Sequence, residues 1–189
     1  SRFDRTVLHS KSDNALFILD QVRFSGGGDH KVDAHFHVGH EMTVDTGIDG
    51  SLTITSPSNR SCRLIQVCSE PVRVEKIPQP VDPFWNDYLT GYDIPPEDLD
   101  AMNQVDIRFR TNLLGLAQYD VLWAILPGDL HVVHQVADDT GLYLWYQSTE
   151  HDLRLVFVPF PDTQSSPIFG PTLPGKPESI YVMGGESLG

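Results

Sequence analysis

Four of the eight histidines in this chain, His30, His35, His37 and His40, fall within eleven residues. His35 and His37 are two positions apart, so on a strand they project from one face. Glu41 follows shortly after. Two imidazoles, a carboxylate and one more histidine are a donor set for Fe(II), Mn(II), Ni(II) or Zn(II), with positions left open for a substrate. His131, at the end of Pro127-Gly128-Asp129-Leu130-His131, is the candidate for that last ligand. The plain alternative is a solvated strand face whose histidines bond to water or to neighbouring groups.

The element that must carry this row is a strand. From Lys31 to Val38 the residues alternate, with Val32, Ala34, Phe36 and Val38 on one face and Lys31, Asp33, His35 and His37 on the other. A second alternation runs through Val105–Thr111, where Val105, Ile107 and Phe109 oppose Asp106, Arg108 and Arg110. Further strand patterns cover Thr6–Leu8, Ala15–Phe24, Glu41–Asp45, Ser51–Ser56, Cys62–Cys68, Val72–Ile77, Val121–Leu126, Leu130–Val136, Leu142–Gln147, Leu153–Val158 and Ser179–Met183. Turn sequences such as Gly26-Gly27-Gly28-Asp29, Asp49-Gly50, Ser56-Pro57-Ser58-Asn59 and Asp138-Asp139-Thr140-Gly141 separate them. Many short strands joined by such turns predict an all-β fold: a large antiparallel, jelly-roll-like β-sandwich with one short helix at most.

Residues 1–160 read as one sandwich domain, and 161–189 as a Pro/Ser-rich C-terminal extension. A long Pro- and aromatic-rich excursion at 78–104 interrupts the strands. Its Pro95-Pro96-Glu97-Asp98-Leu99 has the form of a helix start. Long loops in compact domains often carry function, which makes Trp85, Tyr88 and Tyr92 candidates for substrate binding, unless they cap the core. Tyr143 and Trp145 share a strand face and present the same choice between a sugar-stacking surface and a buried core.

Composition narrows the partners. With 26 acidic and 13 basic residues the net charge is −13, the wrong sign for a nucleic-acid binder. An anionic polymer would need a local basic patch. No apolar run is long enough for a membrane helix. The opening Ser1-Arg2-Phe3 has no apolar leader and no Met, which predicts a processed product or one domain of a larger protein. Cys62 and Cys68 would sit roughly 20 Å apart on one strand, too far to bridge, and read as free thiols. No GxSxG elbow, Cys/His signature or phosphate loop is present, and Gly26-Gly27-Gly28 opens no helix.

Two resemblances follow from these residues. His35-x-His37-x-x-x-Glu41 with Pro127-Gly128-x-x-His131 resembles the two sequence motifs of cupins. That resemblance implies a metalloenzyme, dioxygenase-like, with His35, His37, Glu41 and His131 as ligands of Fe, Mn, Ni or Zn. It implies a small-molecule substrate and fits a cytoplasmic protein.

The order of elements over roughly residues 2–130 is similar to the C-terminal β-sandwich of heparinase II/III-like and alginate-lyase-like polysaccharide lyases. The similarity rests on Arg5-Thr6-Val7-Leu8, the strand Ala15 to Val22 with Asp20, the glycine turn, and Ala34-His35-Phe36-His37-Val38. Paired strands, the aromatic connection with Trp85, Tyr88 and Tyr92, and the strand ending in Ala124-Ile125-Leu126-Pro127 complete it. This resemblance implies a module lining a saccharide cleft, with His30, His35 and His37 as its contribution. It implies a catalytic partner domain and a secreted or periplasmic protein. A structural β-domain of a larger assembly is the remaining reading.

Overall fold

In the computed structural model the described residues are 1–39, 41–79, 104–147, 153–160 and 181–184. They form thirteen strands and, among the described residues, no helix: β1 (Arg2–Ser10), β2 (Ala15–Arg23), β3 (Asp29–Gly39), β4 (Thr43–Thr46), β5 (Leu52–Thr55), β6 (Ser61–Val67), β7 (Val72–Gln79), β8 (Gln104–Leu114), β9 (Gln118–Pro127), β10 (His131–Ala137), β11 (Gly141–Gln147), β12 (Leu153–Pro159) and β13 (Tyr181–Gly184). The fold is all-β, and every strand pairing is antiparallel. The helix start at 95–99 lies outside the described residues.

The strands make three sheets, in the orders β1-β2-β9-β6-β5-β4, β10-β11-β12-β13 and β3-β8-β7. The six-stranded sheet is covered on both faces. One core joins its Phe17, Leu19, Leu122 and Ala124 to Leu142, Leu144, Tyr146 and Val156 of the four-stranded sheet. A second core joins the intervening residues Ile18, Val22, Val121 and Trp123 to Ala34, Phe36, Ile107 and Phe109 of the three-stranded sheet. Burial on both faces explains why Ala15–Leu19 and Val121–Leu126 read as continuous apolar runs. Among the described residues each outer sheet gives only one face to a core, so β3 and β8 alternate.

The second core fixes the orientation of the histidine strand. Phe36 meets Phe109 and Trp123 edge-on, with ring centres 5.7 and 5.0 Å apart, and Phe109 meets Trp123 at 4.9 Å. Each such pair contributes about 0.5–1.5 kcal/mol beyond burial. A one-residue slip of β3 would expel Phe36 and bury His35 and His37, so the register is strongly specified. The glycine turn before β3 is tied to the end of β8, where the Gly115 N–H donates to the Gly28 carbonyl at 3.2 Å. Gly115 takes φ +67°, a left-handed conformation that glycine adopts without strain.

Candidate functional site

The ladder between β3 and β8 sets His37 opposite Asp106, His35 opposite Arg108 and Asp33 opposite Arg110. β7 continues the face, with Ile77 opposite Asp106, Glu75 opposite Arg108 and Arg73 opposite Arg110. Opposed residues of an antiparallel pair share a face. The outer surface of the three-stranded sheet therefore gathers two histidines and a grid of charges. Lys31, Arg73, Arg108 and Arg110 face Asp29, Asp33, Glu75 and Asp106, four cations against four anions in a chain of net charge −13.

Most of these charges are paired. Arg110 Nε and Nη2 donate to the two oxygens of Asp33, both at 2.8 Å. Arg108 grips Glu75 through Nε at 3.0 Å and through Nη2. Arg73 Nε reaches the other oxygen of Glu75 at 2.9 Å. These guanidinium hydrogen bonds hold the Asp33 and Glu75 carboxyls below their ordinary range, and the Asp33 carboxylate raises Arg110.

Asp106 differs from its neighbours. Its side chain is 4% exposed, and Oδ2 lies 2.9 Å from His35 Nδ1. His37 Nδ1 is 3.9 Å from Oδ1, beyond hydrogen-bond distance. The His35 and His37 side chains are 42% and 55% exposed, so both rings reach solvent while their shared carboxylate does not.

Behind β3, between the three-stranded and six-stranded sheets, lies a pocket of about 140 Å³. Its wall includes Arg5, Asp20, Thr111, Tyr119, Trp123 and His35. Asp20 is buried and accepts from Arg5 Nε and Nη2 at 2.5 and 2.7 Å and from Trp123 Nε1 at 3.0 Å. Tyr119 Oη bonds to Thr111 Oγ1 at 3.0 Å and accepts from Gln66 Nε2 at 3.3 Å. Burial pushes the Tyr119 hydroxyl well above its ordinary range, so it stays a neutral hydrogen-bonding group. His35 thus belongs both to the outer face and to the pocket wall.

His30 is placed apart from His35 and His37. It takes the opposite face of β3, stacked on Phe24 with ring centres 3.9 Å apart and planes within 4°. Its Nε2 lies 3.4 Å from the Gly26 carbonyl oxygen. Glu41 follows β3 in a turn and folds its carboxylate over Gly39, where an added Cβ would stand 2.7 Å from Oε2. His131 opens β10, opposite Gln147, in the four-stranded sheet on the far side of the central layer. The set His35, His37, Glu41 and His131 is therefore not assembled, and these residues do not fit a four-ligand metal. Among the described residues no three His, Cys, Asp or Glu side chains are grouped to hold one. Trp85, Tyr88 and Tyr92 lie outside the described residues.

Tyr143 and Trp145 share the outer face of the four-stranded sheet, half-buried, with rings within 8° of parallel and centres 5.5 Å apart. Cys62 and Cys68 are free thiols, and burial raises both above the ordinary thiol range. The residue that single-strand reading missed is Asp106. Its place on the polar side of β8 was visible in the alternation, but its pairing with a strand about seventy residues earlier was not. No protein-family model matches this chain, and no curated protein matches it.

Proposed function

We propose that this chain is the β-sandwich module of a polysaccharide-lyase-type protein, and that the outer face of its three-stranded sheet lines a saccharide cleft. The carrying observation is His35. It is held at 2.9 Å by a buried carboxylate, is partly open to solvent and stands at the wall of the pocket. Structural histidines are usually either buried and satisfied or loose at the surface, and His35 is neither.

The surrounding charges support an acidic sugar as the ligand. The face carries four cations, Lys31, Arg73, Arg108 and Arg110, and Arg108 stands directly opposite His35 in the ladder. Such a balanced surface offers a sugar carboxylate local contacts that the chain's overall charge would refuse. His35 and His37 then contact sugar hydroxyls or the ring carboxylate, and the main acid–base groups come from a partner domain.

Calorimetric titration with uronate-containing oligosaccharides tests the reading. The expected result is weak binding that falls at least tenfold in His35→Ala, with neutral oligosaccharides of the same length binding more weakly. Equal affinity for wild type and His35→Ala, or no binding of any acidic oligosaccharide, would remove it.

A further inference from the structure

Asp106 stands beside arginines that face the same way, yet neither neutralises it. Arg108 is taken by Glu75 and Arg110 by Asp33. Its directly opposed neighbours are His37 and Ile77, but its short contact runs diagonally to His35. Oδ1 is buried and has no hydrogen-bond partner among the described residues. If the His35 ring swung away, both oxygens of a buried carboxylate would be bare, which is costly. The His35 ring is therefore pinned by its partner as well as by its backbone.

We propose that Asp106 is the positioning residue of this face: it fixes His35 as the Nδ1–H tautomer and so leaves its Nε2 bare. A carboxylate only accepts, so the ring nitrogen 2.9 Å away is the one that carries hydrogen. Neutral imidazole has one N–H, which leaves Nε2 with its lone pair. That nitrogen accepts a hydrogen bond from a ligand hydroxyl, or a proton from an acidic carbon, without first losing one of its own. His37 has no comparable hydrogen bond among the described residues and serves as the internal reference. The inference builds on His35 as the working group of the face, but the tautomer can be observed with no saccharide present.

The experiment is a long-range proton–nitrogen correlation spectrum of the ¹⁵N-labelled protein, recorded where both imidazoles are neutral, for wild type and Asp106→Asn. In wild type, His35 Nδ1 is expected in the protonated, pyrrole-like range and Nε2 in the bare, pyridine-like range. His37 is expected to show the Nε2–H form that free imidazole prefers. In Asp106→Asn the amide N–H can donate to Nδ1, and His35 is expected to move toward Nε2–H. Wild-type His35 found as Nε2–H would overturn the proposal, as would an unmoved His35 pattern in folded Asp106→Asn. If the variant does not fold, the wild-type spectrum decides alone. The expected tautomer together with no saccharide binding would keep the positioning role and remove the saccharide reading.

Discussion

Replacing Asp20 by Asn isolates the network that ties the edge strand β1 to the core. Asp20 is 5% exposed and receives three donors, two from Arg5 and one from the Trp123 indole. The amide keeps the shape but turns one acceptor oxygen into a donor. If the amide oxygen takes the place of Oδ2 and still receives the indole, the NH₂ group stands where Oδ1 accepted from Arg5 Nε, donor against donor. Removing one member of a buried charge pair costs about 3–5 kcal/mol when the other is left buried. Here Arg5 is 49% exposed and can recover water, so the lower part of that range applies. One hydrogen bond to a charged group and the charge pair itself are lost, and about 3 kcal/mol is the expected total. For a domain of this size that corresponds to a melting point lower by about 6–12 °C. The control is Asp4→Asn, which breaks the Arg2–Asp4 pair of 2.7 Å, with side chains 76% and 43% exposed. Exposed pairs contribute about 0–1 kcal/mol. Calorimetric melting of the three proteins is the assay. Asp20→Asn melting within 2 °C of wild type, or no lower than Asp4→Asn, would refute the reasoning.

Other outcomes follow from the same geometry. Asp33 and Glu75 have folded pKa values below their unfolded ones, so their contribution is present above about pH 4–5 and is lost as pH falls through the depressed values. Acid unfolding of Asp33→Asn should therefore show a shallower pH dependence below pH 4, and an unchanged slope would contradict the pairing with Arg110. Gly141→Ala places a Cβ 2.2 Å from the Val158 carbonyl oxygen across the β11–β12 ladder. The backbone must shift, and the loss should exceed about 2 kcal/mol in denaturant unfolding, where ordinary surface changes stay within about 0.5 kcal/mol. Cys62 and Cys68, with thiol pKa values raised by burial, should react slowly with maleimide at neutral pH and quickly in denaturant. Equal rates in both conditions would contradict that environment.

The strands were legible because the alternation and the turn residues agree. Each expected strand is observed, with ends displaced by a few residues, as in β1, which runs from Arg2 to Ser10 around the expected Thr6–Leu8. The common face of His35 and His37 was legible too, since positions two apart on a strand must agree. The placement of His30 was equally open to inspection: it is five positions from His35, an odd number, and belongs with Phe36 rather than with the polar row. Its stacking on Phe24 is the physical outcome of that parity. Pairing across sheets was not legible. Nothing local to His131 says that β10 leaves the central layer for a separate sheet, and this separation keeps it from His35. Nothing local to Asp106 says that β8 pairs with β3, and this pairing puts a carboxylate beneath two imidazoles. Two covered faces on one sheet were implied by the apolar runs of β2 and β9, while the partners on each side had to come from the three-dimensional arrangement.

The most direct test of the saccharide-lining face is a map of amide shifts in the ¹⁵N-labelled protein during titration with an acidic oligosaccharide. The account predicts shifts concentrated on β3 and β8, at Asp33, His35, His37, Asp106 and Arg108, with the four-stranded sheet unmoved. Shifts centred on Tyr143 and Trp145, or none at saturating ligand, would contradict it.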